Sequence, residues 1–375
     1  MAVPFFDLTR QDRFLSRPLT KAISQVVRGG QFILGSEVSA FEGEFAALCH
    51  NRFSVGVASG TDALELALRA LGIGAGDLVA TVSFTFLATA DAILQVGATP
   101  LFVDIDPATY TMDAEDLAQR ISRLSPKQRH RLKAVIPVHL FGHPCEMDAI
   151  GTVARRYHLQ VIEDAAQAAG AKWKGRPVGA LADAGCFSFF PTKNLGGFGD
   201  GGAVVTQSAA VARRLRVLRV HGRADGQRQR VLGRNSRLDE LQAAILRVKL
   251  RHLPHWVRAR QQHAAVYLDC LQQIPGIICP TVHRSAVHAF HLFVVRSKRR
   301  DALQRHLHQH GISTQVYYRL PVHRQELHRS QAGKVILPHT DKAAKEVLAL
   351  PMFPELRLKE LKEVCRMTSE FFRRA

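Results

Sequence analysis

Lys193 and Asp164 are the two residues in this chain best placed to do chemistry as a pair. Lys193 follows an apolar run, Gly185-Cys186-Phe187-Ser188-Phe189-Phe190-Pro191. It precedes a glycine-rich turn, Gly196 to Gly202, which leads into another strand-like run at Ala203 to Val205. An amine held in aromatic, glycine-rich surroundings loses hydration; its pKa falls, its lone pair is freed, and it can form a Schiff base with an aldehyde. Asp164 closes Val161-Ile162-Glu163-Asp164, a buried-strand pattern, at the kind of strand end where α/β proteins bind ligands. A pyridoxal phosphate site needs this pair: an anion that keeps the pyridine nitrogen protonated and an amine that holds the aldehyde. The plainer readings are a solvated surface lysine and an Asp that caps a helix. Their occurrence at two strand ends in succession favours the chemical reading.

The elements that must position the pair alternate along the first two-thirds of the chain. Strand patterns at Phe53–Ala58, Leu78–Val82, Pro100–Val103, Ala134–Val138, Leu159–Ile162, Gly185–Phe189 and Ala203–Val205 are near-continuous in hydrophobicity. Helical patterns separate them at Thr61–Leu71, Ala88–Val96, Asp113–Leu124, Glu146–Tyr157 and Ala209–Val220. This interleaving predicts an α/β fold, with a mostly parallel sheet covered by helices on both faces. Residues 1–50 read as mainly helical, broken at Gly29–Gly35. After amphipathic helices at Arg237–Leu250 and Trp256–Gln273, the style changes. Strand-like His291–Val295, a helix at Arg300–His310, strand-like Ile312–Tyr318 and helices from Asp341 and Leu358 form an α+β section. The expected division is a large domain over 1–250 and a smaller C-terminal domain over 251–375.

These motifs, in this order, resemble the DegT/StrS family of sugar aminotransferases, pyridoxal phosphate enzymes of fold type I. The likeness runs from Pro4-Phe5-Phe6-Asp7-Leu8 to Leu348-Ala349-Leu350-Pro351-Met352-Phe353-Pro354. It implies that Lys193, in Phe-Ser-Phe-Phe-Pro-Thr-Lys-Asn, is the Schiff-base lysine and proton carrier, and that Asp164 pairs with the pyridine nitrogen. It implies further that Gln167 contacts the hydroxyl side of the cofactor. Ser59-Gly60-Thr61 and Ser188 would receive the phosphate, the former at a helix N-terminus, and Phe86 would stack on the ring. Gly233-Arg234-Asn235-Ser236-Arg237 resembles a motif whose Asn reaches the neighbouring subunit's phosphate. Asn235 therefore implies a homodimer with shared sites. Tyr318 and His323 resemble segments that approach the sugar nucleotide; His291 and Tyr317 resemble them too but carry less weight.

Composition bounds the reading. The chain has 375 residues, enough for two domains, and its 46% hydrophobic and 22% charged content suits a soluble enzyme. With no signal pattern and no apolar run long enough for a bilayer, the expectation is a cytoplasmic protein without a membrane partner. Six scattered cysteines, with no Cys-x-x-Cys pair, suggest reduced structural thiols and no metal site. A net charge of +19 raises nucleic-acid binding. The basic residues are spread widely, however, with one denser run from Arg213 to Arg237, and no nucleic-acid-reading motif accompanies them. A polyanionic nucleotide sugar accounts for the excess as well as nucleic acid would. The resemblance implies ping-pong transamination, with L-glutamate leaving as 2-oxoglutarate and a nucleotide-diphosphate ketosugar accepting the amine. The loop Asn194-Leu195-Gly196-Gly197-Phe198-Gly199-Asp200-Gly201-Gly202 looks like the branch acting on 3-ketosugars. The expected substrate is thus a UDP- or dTDP-3-ketosugar, for example one derived from UDP-GlcNAc, in lipopolysaccharide, lipid A or other glycoconjugate synthesis. The alternatives are a 4-ketosugar aminotransferase, a dehydratase of the same fold (disfavoured because dehydrating relatives replace the lysine by His) and a non-enzymatic regulator.

Overall fold

The structure, a computed structural model, describes residues 2–224, 228–332 and 335–373. Of the basic run Arg213–Arg237, residues 225–227 lie outside that set. The central sheet contains β1 (Phe53–Val57), β2 (Leu78–Val82), β3 (Thr99–Val103), β4 (Leu132–Ile136), β5 (Gln160–Asp164), β6 (Ala184–Ser188) and β7 (Gly202–Thr206). They lie in the order β1-β7-β6-β5-β4-β2-β3. From β6 to β3 the neighbours are parallel, and β7 runs antiparallel to both β1 and β6. The near-continuous apolar runs follow from burial on both faces. Val79, Ala134, Ile136 and Ile162 pack on one side of the sheet, while Ala80, Val82, Val135 and Val161 pack on the other. Helices α1 (Leu8–Gly29) and α2 (Ser36–Leu48) are separated where Gly30 takes φ 67°. Helix α3 (Gly60–Ala70) starts directly after β1.

The C-terminal section has its own core, in which β8 (Phe293–Arg296) pairs antiparallel with β9 (Val347–Leu350). Val3 joins this core and bridges to Ile312, so the N-terminal end of the chain packs there. Helix α4 (Glu240–Leu250) belongs to the sheet side. Helix α5 (Leu253–Leu271) spans both sides: Leu253 and Val257 pack toward the sheet, and Ala264, Tyr267 and Leu271 toward the smaller core.

Two expectations of secondary structure are corrected. The helix expected over Arg237–Leu250 begins at Glu240, because residues 234–236 pair in extended form with residues 218–221. Glu240 then caps another helix across the interface. Its carboxylate accepts the backbone N–H groups of Gly35 (2.7 Å), Glu37 (2.9 Å) and Val38 (2.9 Å) at the start of α2. Ile312–Tyr318 is not a strand; it makes only single bridges, at Ile312 to Val3 and at Gln315 to Ala349. A tight turn follows Asp164. Among the elements that the sequence reading leaves out are β9 and a short helix at Pro126–Arg131. The latter is started by a capping box in which Ser125 and Gln128 satisfy each other's backbone N–H groups.

A buried ion pair fixes β1 to the helix layer. Arg219 donates to Glu42 and to the carbonyl of Gly56 (2.7 Å), while Glu42 accepts the N–H of Gly56 (2.8 Å). Both side chains are almost fully buried. Replacing Arg219 with Met would leave Glu42 only the more distant Arg216, 4.0 Å away and half exposed, and the expected cost is up to about 3–5 kcal/mol of folding stability. Denaturant unfolding of the two proteins measures it.

Candidate active site

Asp164 is the last residue of β5, and the turn that follows it is pinned to β6 by Ala165 N–H donating to the Cys186 carbonyl (2.8 Å). Its carboxylate is 5% exposed. One oxygen accepts from Thr89 Oγ1 (2.8 Å) and the other from Ala166 N–H (3.2 Å). Burial pushes its pKa up, while the Thr89 and Ala166 donors and the charge of Lys193 oppose that rise. Thr89 is in turn bonded to Thr85 Oγ1 (2.9 Å), so the two hydroxyls form a chain ending on the carboxylate.

Lys193 follows β6 and is held by its own N–H, which donates to the Phe190 carbonyl (2.8 Å). The turn behind it closes so tightly that a Cβ on Gly196 would stand 2.2 Å from the Pro191 carbonyl oxygen. Burial lowers the pKa of the amine to about 8, against the pull of the Asp164 carboxylate, which favours the charged form. The two groups that the sequence pairs therefore share one electrostatic environment. A lowered amine pKa is reached from the protonated side. In the cofactor-free protein, the rate at which Lys193 condenses with an aldehyde should rise with pH up to about 8 and then level off. An unperturbed lysine would keep rising toward pH 10.4. Stopped-flow absorbance across pH 6–10 reads this, pH 6 and pH 10 being about the limits set by those two pKa values.

The N-terminus of α3 meets the end of β6. Ser59 caps the helix by accepting the Asp62 N–H (3.1 Å), and Gly60 and Thr61 follow as its first residues. A Cβ on Gly60 would lie 2.6 Å from Ser188 Cβ, and one on Gly202 would lie 2.3 Å from the Ser59 carbonyl oxygen. The glycines thus let the Ser188 hydroxyl and the first N–H groups of α3 converge. Phe86, between β2 and the helix Ala88–Gln95, is 60% exposed.

Gln167 sits in the turn after Asp164. Its carbonyl accepts the Phe141 N–H (2.7 Å) and its amide donates to the Tyr318 hydroxyl (2.9 Å), leaving one amide hydrogen for a ligand. Tyr318 is thereby brought to the same turn, and burial raises its phenol pKa. His323 is engaged within the protein. Its Nδ1 lies 2.6 Å from Ser83 Oγ and its Nε2 lies 3.6 Å from Asp341. Asn235 is exposed, apart from a backbone bridge to Val220.

Two neighbours of the pair carry little or no weight in the sequence reading. Thr89 holds Asp164, and nothing local in the sequence marks it for that contact. His291 carries little weight from its sequence alone, yet it is 4% exposed and its Nδ1 has no hydrogen-bond partner among the described residues. Burial and then the charge of Lys193 hold its pKa well below the usual histidine value, so it stays neutral. Beneath the site, His139 Nδ1 accepts the Cys145 N–H (3.0 Å). The ring proton therefore sits on Nε2, 2.9 Å from Glu163.

Comparison with known proteins places this arrangement. The family model of DegT/DnrJ/EryC1/StrS aminotransferases matches residues 15–368. A pleiotropic regulatory protein of Geobacillus stearothermophilus is 44% identical, covering 100% of this chain and 99% of its own length. The UDP-N-acetyl-3-dehydro-alpha-D-glucosamine 3-aminotransferase of Acidithiobacillus ferrooxidans is also 44% identical, over 97% of this chain and 96% of its own. The crystal structure of S. venezuelae DesV, in complex with a ketimine intermediate, superposes with a TM-score of 0.96 at 42% identity, covering 100% and 99%. The cofactor of this family is pyridoxal phosphate, and the cleft fits it. A cradle of N–H groups and a hydroxyl, which a Cβ at Gly60 would fill, suits a phosphate. A buried carboxylate suits a pyridinium nitrogen, and an amine with a lowered pKa suits an aldehyde.

Proposed function

Because the chain belongs to the DegT/DnrJ/EryC1/StrS aminotransferase family, and is thus a pyridoxal phosphate-dependent transaminase, we propose that it moves an amino group from L-glutamate to a nucleotide-linked 3-ketosugar. The observation that carries the reading is the meeting of Asp164 and Lys193 in one buried environment at adjoining strand ends. Pyridoxal phosphate, when bound, supplies an electron sink for the carbon that loses its proton. Thr89 and the Ala166 N–H donate to Asp164 and favour its ionised form, which would pair with a protonated ring nitrogen. The first N–H groups of α3 and the Ser188 hydroxyl would bind the phosphate. Phe86 would stack on the ring, and Gln167 would contact its hydroxyl side. The Lys193 amine, free of a proton above about pH 8, takes a proton from the donor's α-carbon and later returns one to the sugar carbon. Neutral His291 beside that amine adds no competing positive charge.

For the acceptor, the glycine loop after Lys193 and the identity to the Acidithiobacillus enzyme both support C-3 of a UDP- or dTDP-ketosugar, with a place in lipopolysaccharide, lipid A or other glycoconjugate synthesis. Exposed Asn235 completes the phosphate site of a neighbouring subunit in a homodimer, and Tyr318 lies where the sugar nucleotide would approach. All six cysteines are free thiols, which suits the cytoplasm. Among the described residues, no helix is long and apolar enough to cross a membrane.

The experiment supplies the purified holoenzyme with glutamate and then, separately, with 3-keto and 4-keto nucleotide sugars, following cofactor absorbance and 2-oxoglutarate. Turnover with the 3-keto sugar alone supports the proposal. Turnover with only the 4-keto sugar moves the reaction to C-4. No turnover at all, together with salt-sensitive DNA binding, would favour a regulator such as the Geobacillus relative's name describes.

A further inference from the structure

A second cavity, of about 360 Å³, shares none of its lining with the residues assigned above. Its volume is within the range of roughly 300–1,000 Å³ typical of small-molecule sites. The floor is apolar: Phe45 and Cys49 from the end of α2, Val178 from the turn after Arg176–Pro177, and Leu253 and Val257 from α5. Gly170 forms one wall at φ +89°, and a Cβ there would stand 2.7 Å from Val257 Cγ2; only glycine lets the chain pass while the cavity stays open.

The rim is charged in one sense only. Lys172 and Arg258 are both exposed and border the cavity, and no Asp or Glu lines it. Neither cation has an ion-pair partner among the described residues. An apolar pocket with two unpaired cations at its mouth is complementary to a molecule with an apolar body and an anionic head.

We propose that this cavity binds an amphipathic organic anion, a ligand class distinct from both the amino donor and the nucleotide sugar. The apolar body lies against Phe45, Leu253 and Val257, and the anionic head sits between Lys172 and Arg258. The occupied pocket abuts Ala169 and Gly170, which continue the turn carrying Asp164 and Gln167.

The test titrates 8-anilino-1-naphthalenesulfonate into the cofactor-loaded enzyme. One saturable dye site per chain is expected. The double variant Lys172→Glu/Arg258→Glu should weaken binding at least tenfold, with cofactor absorbance and melting temperature unchanged. Ala47→Trp, an exposed rim position, should block the mouth and remove the site. The uncharged analogue N-phenyl-1-naphthylamine should bind more weakly and ignore the charge reversal. The proposal is overturned if the dye does not saturate, if both variants bind it as the parent does, or if UDP displaces it, which would put the dye in the catalytic cleft.

Discussion

The Lys193→Ala protein is expected to lose at least about 10⁴-fold in turnover, since a positioned proton carrier alone contributes roughly 10²–10⁴-fold and the covalent anchor goes with it. The protein should still fold. The Lys193 backbone N–H that donates to the Phe190 carbonyl survives the change, and the turn depends on Gly196 rather than on the lysine side chain. Cofactor should then be held only by its phosphate and ring contacts, so it washes out on desalting while the parent keeps it. Absorbance after gel filtration and single-turnover rates measure the two effects. Added small amines should restore part of the proton transfer, which a merely misfolded variant would not show.

Asp164→Asn separates charge from shape. The side-chain amide keeps an oxygen for Thr89 and occupies the same space, but it places no negative charge opposite the ring nitrogen. Turnover is expected to fall by roughly 10²–10³-fold, the scale for losing one preorganised electrostatic contact. The cofactor-free variant should melt no lower than the parent. Folding raises the pKa of Asp164, so the native state disfavours its anion. That penalty is absent below the unfolded-state pKa and fully present above the folded-state value, and the neutral Asn removes it. Lost turnover with retained or higher melting temperature is the predicted signature. A large drop in both would mean that Asp164 serves the fold instead.

The strands of the sheet were legible because burial on both faces leaves a run such as Leu78–Val82 with no polar interruption, and because its ends coincide with turn residues. Lys193 and Asp164 could be read for the same reason: each stands where such a run stops. Less legible were contacts made across the fold. Glu240 looks like an ordinary first-turn acid, yet it caps α2, some two hundred positions away in sequence. Thr89 reads as a helix residue until β5 brings Asp164 to it. The place of His291 beside the amine was not legible because its surroundings, Lys193 and Arg260, come from separate segments. His323 is held from a distance too: Ser83 bonds its Nδ1, and Asp341 stands 3.6 Å from its Nε2, contacts that its local sequence does not announce. The helix expected from Arg237 was displaced for a further reason: periodicity alone gives no warning that residues 234–236 are better satisfied by pairing with residues 218–221.

Four separate segments meet at the proposed cofactor site: the start of α3, the loop before Ala88–Gln95, the turn after β5 and the turn after β6. The last two carry the ionisable pair, Asp164 and Lys193. The chemistry is thus concentrated on two neighbouring parallel strands, while the other segments bind and orient. That division explains why a change at Gly60 should weaken cofactor retention without altering the pH dependence set by Lys193.

The central claim is that one particular amine holds the cofactor. Borohydride reduction of the holoenzyme, followed by proteolysis and mass spectrometry, fixes the cofactor to whichever lysine carries it. The phosphopyridoxyl mass should appear on the peptide containing Lys193 and on no other. Its appearance on a different lysine, with Lys193 unmodified, would contradict the account.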